Sequence, residues 1–119
     1  MSSLVTIDQA AIASIRALNP DDGDEFLREI LGIFFEDTPL RIAELDASLA
    51  ADDGPKFARA AHSIKGSSGN VGASALREVA GQLETRAQQR GLADVAGLLA
   101  SLKAEYDRAH AELAKLIAA

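Results

Sequence analysis

Apolar residues in this chain recur at steps of three and four, and no segment alternates them convincingly at steps of two. That period commits the chain to amphipathic helices, each with one stripe to bury. The longest run is Leu92, Val95, Leu99, Leu102, Tyr106, Ala109, Leu113 and Leu116, a seam of the kind that packs one helix along another. A second run, Leu27, Leu31, Phe34, Thr38, Ile42, Leu45 and Leu49, passes unbroken across Pro39. Proline cannot donate its backbone hydrogen bond, so the spacing predicts one helix kinked at that residue.

Breakers divide the remainder. Asn19, Pro20 and the Asp21-Asp22-Gly23 run end a short first helix over Asp8 to Leu18, and Asp52-Asp53-Gly54-Pro55 mark the next turn. A third helix is expected from about Pro55 to Asn70, with Gly72 as its left-handed stop. Ser74 is placed to cap a fourth helix, which turns Leu76, Val79, Leu83 and Ala87 inward and stops at Gly91. Segments starting near 24, 55, 74 and 92, joined by brief loops, predict an all-α antiparallel four-helix bundle with an additional short N-terminal helix. No repeat or linker interrupts residues 1–119, so a single domain is expected.

Composition narrows the function. Only 4% of the residues are aromatic and none is Trp, while 48% are hydrophobic, so the helices must pack through small and branched aliphatic side chains. A formal charge of −6 argues against a nucleic-acid binder, whose partner attracts basic surfaces. Without cysteine there are no disulfides, no thiolate chemistry and no thiolate-held zinc. The acidic residues fall singly on helix faces, so no metal site is expected, and no Gly-rich loop precedes a Lys-Ser or Lys-Thr pair to hold ATP. The N-terminal MSSLVTIDQA lacks a basic leader and no stretch is long and apolar enough to span a bilayer. A cytoplasmic monomer without membrane association is the expectation.

One stretch serves the bundle poorly: Ala61-His62-Ser63-Ile64-Lys65-Gly66-Ser67-Ser68-Gly69-Asn70-Val71-Gly72. Glycine inside a helix costs about 0.5–1 kcal/mol relative to alanine, yet Gly66 and Gly69 both fall within the third helix. Phe57, Ala61, Ile64, Ser68 and Val71 share one face, and His62 points about 140° from its centre, toward solvent. Ala58, Gly66 and Gly69 surround it with small side chains that leave room for another protein's active site. Lys65 lies three residues on, placed to lean toward the ring. From Pro55 to Gly72 the charged residues are Lys56, Arg59 and Lys65, with no acid, in a chain of 12 basic and 18 acidic residues. Such a cationic patch suits a phosphoryl group and an acidic partner pocket. Neutral imidazole is nucleophilic near pH 7, and phosphoryl transfer asks of a protein mainly positioning and charge neutralisation.

The run Ala61-His62-x-Ile64-Lys65-Gly66, with Gly72 six residues on, resembles the signature of histidine-containing phosphotransfer (HPt) domains, in which Leu stands where this chain has Ile64. At average composition, Lys, Gly and Gly at three fixed offsets from a histidine arise by chance with a probability of roughly 3 × 10⁻⁴, so the motif is specific. The likeness covers most of the chain, including the Phe/Leu-rich second helix and Leu83-Glu84 to Arg86. It implies the helical bundle inferred above and a phosphorelay intermediate, not an enzyme with its own kinase module. By the same resemblance His62 accepts the phosphoryl group from a receiver-domain aspartyl phosphate and passes it to another receiver. Lys65 steadies the group, and Gly66 gives access to the imidazole. Receiver domains of response regulators, or a hybrid sensor histidine kinase, are the implied partners, met by Ala58, Arg59, Lys65, Gly66 and Gly69. No cofactor or metal is implied on this domain; Mg²⁺ is expected on the partner receiver during transfer. Some members place a Gln beside the ring, where this chain has Glu84. His110 lacks Lys and Gly at the matching offsets and is expected to be ordinary surface. Two other readings stay open: the phosphoacceptor domain of a chemotaxis-type histidine kinase, and a non-phosphorylated helical adaptor.

Overall fold

A computed structural model describes residues 5–118, and every regular element among them is helical. Helix α1 spans Gln9–Leu18, α2 Glu25–Ala50, α3 Gly54–Asn70, α4 Ser74–Arg90 and α5 Ala96–Ile117. The turns between α2, α3, α4 and α5 are too short for a crossover, so successive helices run antiparallel. They close a four-membered ring in which α3 and α4 make the most intimate pair. Alanines such as Ala61 and Ala80, both fully buried, let those two approach closely. Phe57, Leu27, Leu31, Leu45, Ile64, Leu76, Leu83, Leu102 and Leu113 fill the centre. No helix among the described residues is long and apolar enough to cross a membrane.

Helix ends follow local chemistry. Asp8 caps α1 by accepting the Ala10 N–H at 3.0 Å, and Asp53 caps α3 by accepting that of Lys56 at 3.1 Å, with Pro55 in the first turn. The entry to α2 is secured from two residues upstream of its cap: Asp22 accepts the N–H groups of Asp24 and Phe26. Asp24 is left-handed (φ 68°), and its carboxylate takes a bidentate pair from Arg16 at 3.0 and 3.1 Å, tying α1 to α2. At the end of α3, Gly72 N–H reaches Gly69 C=O and Ala73 N–H reaches Ser68 C=O, the two bonds of a Schellman cap with Gly72 at φ 75°. Gly72 does more than stop the helix. Its C=O accepts Asp8 N–H at 2.7 Å, and a Cβ on it would stand 2.7 Å from Ala11 Cβ and 2.9 Å from Asp8 O. The glycine is the seat of α1 on the bundle.

Two local expectations are corrected. Ser74 does not cap α4; Ala73 occupies that position and Ser74 is the first helical residue, its hydroxyl turned back to Gly72 C=O. The last helix begins at Ala96, not near 92: Leu92 and Val95 are buried, but they belong to the turn after Gly91. Burial at that corner mimics the helical period. The second helix does run unbroken through Pro39, which is exposed, while Thr38 beside it is fully buried with a hydroxyl that finds no partner among the described residues.

Candidate functional site

Phe57, Ala61, Ile64, Ser68 and Val71 are all buried, which fixes the rotation of α3 about its axis. His62 consequently stands out from the opposite face with its side chain 67% exposed. From α4, Glu84 rises beside it with a side chain only 14% exposed. One oxygen, Oε2, lies 2.8 Å from His62 Nδ1; the other, Oε1, accepts from Lys65 Nζ at 2.7 Å. A single carboxylate thus holds the imidazole and the ammonium at once.

That contact sets the chemistry of the ring. Burial pushes the Glu84 carboxyl up, but the hydrogen bonds from Lys65 and His62, with their charges, outweigh it and hold the group below its usual value. An ionised carboxylate can only accept, so Nδ1 must carry the hydrogen of the neutral ring. The lone pair is left on Nε2, the nitrogen not engaged by Glu84.

Several expectations change with Glu84 in place. The Lys65 ammonium is paired with Glu84 on the same side as the ring, and its stem lies along Gly81, where a Cβ would stand 3.4 Å from Lys65 Cδ. The acid-free stretch of α3 therefore works against a carboxylate delivered by α4. Ala58, the small neighbour one turn before His62, is only 8% exposed and lines a groove with His62, Pro55, Arg59, Glu84 and Ala87, about 840 Å³ in volume. Its smallness opens that groove beside the ring. Arg59 is exposed at the groove edge. Gly66 is exposed, and a Cβ there would meet nothing within 4 Å, so no packing demands the glycine. Gly69 differs: a Cβ on it would stand 3.3 Å from Arg77 Cδ and Nε. His110 lies far along the chain against Phe35 (ring centroids 4.4 Å) and Tyr106, and no carboxylate among the described residues is hydrogen-bonded to it. Gly81 and Arg77 escaped the sequence reading. They act across the α3–α4 contact, which no spacing rule within one helix reports.

The antiparallel bundle thus displays His62 with its ring held by the Glu84 carboxylate, Lys65 paired to the same group and Gly66 open beside it. The chain belongs to the Hpt domain family, whose model matches residues 29–112. Over 78 residues it is 31% identical to multistep phosphorelay regulator 1 of Schizosaccharomyces pombe, a match covering 66% of this chain and 26% of that protein. The chain therefore spans only a minor part of that relative's length. Its fold matches the crystal structure of histidine-containing phosphotransfer protein B (HptB) from Pseudomonas aeruginosa PAO1 with a TM-score of 0.85 and 27% identity, covering 96% of this chain and 95% of that one.

Proposed function

We propose that His62 is the phosphoacceptor of a phosphorelay, taking its phosphoryl group from an aspartyl phosphate on one receiver domain and handing it to the aspartate of another. The observation that carries this reading is the bond from His62 Nδ1 to Glu84 on a ring otherwise open to solvent. In the first half, the Nε2 lone pair attacks phosphorus. An N–P bond forms as the P–O bond to the donor aspartate breaks, and the aspartate leaves as a carboxylate. The ring keeps its Nδ1 proton and becomes formally cationic, and the Glu84 carboxylate offsets that charge. The Lys65 ammonium, paired to the same carboxylate, supplies positive charge beside the phosphoryl oxygens. In the second half, a carboxylate oxygen of the next receiver attacks phosphorus and the electron pair returns to Nε2. No proton changes hands. The protein acts as a monomer, needs no cofactor of its own, and meets Mg²⁺ only as an ion held by the receiver. Ala58, Arg59, Lys65, Gly66 and Gly69 form the surface on which the receiver sits.

The test is phosphate uptake from phosphorylated receivers, read as acid-labile phosphate on the protein. His62→Gln is expected to abolish uptake and His110→Gln to leave it intact. The reverse pattern refutes the assignment, and no uptake by the parent from any receiver returns the molecule to an adaptor role.

A further inference from the structure

We infer that Arg77 is a docking residue: it anchors an acidic side chain of the partner receiver about two helical turns from His62, and so contributes to partner choice. The inference rests on the proposed phosphotransfer function and adds to it a contact that the phosphohistidine motif does not contain.

Arg77 belongs to the first turn of α4, yet it is laid over α3. Its stem lies against Gly69, where a Cβ would stand 3.3 Å from Cδ and Nε and 3.8 Å from Cζ. The side chain therefore borders the hollow formed by Lys65, Gly66, Gly69 and Asn70, about 270 Å³ in volume. On its other side it lines a larger trough, about 800 Å³, shared with Lys65, Ser74, Gly81 and Gln82. Among the described residues its guanidinium, like those of Arg59 and Arg90, makes no hydrogen bond and no ion pair, whereas those of Arg16, Arg41, Arg86 and Arg108 each face a carboxylate; of the three, Arg77 is the one laid against a glycine. Glu78, its neighbour in sequence, is instead hydrogen-bonded by Gln82. An exposed arginine, seated by a glycine and left without an internal partner, presents a planar donor fork suited to a carboxylate.

Position and charge identify the occupant. Gly69 lies seven residues beyond His62, roughly 10 Å along the helix axis at 1.5 Å per residue. That is too far for Arg77 to touch a phosphoryl group on Nε2, and well within the footprint of a protein covering the ring. Helices α3 and α4 hold six of the 12 basic residues and only two of the 18 acidic ones. Of those two, Glu84 is already neutralised by Lys65. The face around His62 is thus cationic on an acidic protein, and an acidic receiver surface is its electrostatic complement.

The experiment uses the whole chain and a phosphorylated receiver domain that phosphorylates the parent. Transfer rate is followed against receiver concentration, with phosphoramidate labelling of His62 and melting temperature measured alongside. Arg77→Glu is expected to raise the half-saturating receiver concentration roughly tenfold, with Arg77→Ala intermediate and Arg77→Lys nearer the parent. Phosphoramidate needs no partner, and labelling by it should match the parent. Gly69→Ala, which crowds the arginine stem, should raise the half-saturating concentration in the parent background by a larger factor than in the Arg77→Ala background, and equal factors in the two would show that Gly69 does not act through Arg77. An unchanged half-saturating concentration in Arg77→Glu overturns the inference. So does a parallel loss of phosphoramidate labelling, which would place Arg77 at the imidazole instead of the partner. Should the parent accept phosphate from neither source, the phosphotransfer reading fails first, and that is seen before any Arg77 variant is made.

Discussion

At the scale of single residues, the site depends on one carboxylate and one absence of side chain. Gly66 is the absence. Its backbone is ordinary helix and a Cβ there meets nothing, so Gly66→Ala should stabilise the fold by about 0.5–1 kcal/mol. Gly66→Gln should fold at least as well as the parent but transfer roughly tenfold more slowly or worse with a receiver, because a misplaced approach of even 1 Å is costly. Melting temperature and transfer rate on the same preparation check both statements, and normal transfer by Gly66→Gln would defeat the access argument. Glu84 is the carboxylate. Its folded pKa lies below the ordinary 4.5, so its contribution to stability is fully present above that value and is lost as pH falls through the lower, folded one. Denaturant titrations from about pH 6 to about pH 3 should therefore show a steeper loss of stability in the parent than in Glu84→Gln. Equal slopes would mean that the Lys65–Glu84–His62 link does not stabilise the fold.

At the scale of elements, α3 is the functional part and its termini decide where His62 points. Asp53 and Pro55 start the helix in one register, and the Schellman cap at Gly72 ends it. The same glycine receives α1 through the Asp8 N–H and the close packing of Ala11. Gly72→Ala should thus be far worse than an ordinary helix-end substitution. The left-handed conformation alone costs a Cβ-bearing residue about 1–2 kcal/mol, and the clash with Asp8 O and Ala11 adds to it. Thermal unfolding is the measurement. A loss confined to a few tenths of a kcal/mol would show that α1 shifts freely. In α2, by contrast, Pro39 is tolerated because it faces solvent, and tertiary packing of the stripe holds the helix across the missing hydrogen bond.

For the molecule as a whole, charge is divided unevenly among the helices. Helix α2 carries six acidic residues against two basic ones, whereas α3 and α4 reverse that balance. Interactions between such exposed surfaces are screened within roughly 8–10 Å at physiological salt. Receiver-dependent transfer should therefore slow as ionic strength rises, while phosphoramidate labelling of His62 should be much less sensitive. Equal salt dependence in the two assays would remove electrostatic docking from the account.

Much of this is legible in the sequence. Apolar spacing gave the helices, because a stripe at steps of three and four can be buried only on a helix face. The buried positions of α3 gave the outward direction of His62, since Phe57, Ala61, Ile64, Ser68 and Val71 fix the rotation of their own helix. The motif around His62, Lys65 and Gly66 is also local, and local patterns survive in one dimension. The start of α5 was misplaced because Leu92 and Val95 are buried from a turn, and burial alone does not distinguish a turn from a helix. What only the tertiary structure decided lies across the α3–α4 contact. Glu84 is 22 residues from His62, so no helical period relates them; only the close approach of two alanine-rich faces brings that carboxylate between the imidazole and Lys65. The same approach lays Arg77 over Gly69. Nucleophile and fold were written in local sequence, but the charge that orients the nucleophile came from a neighbouring helix, whose placement depends on the packing of the whole core.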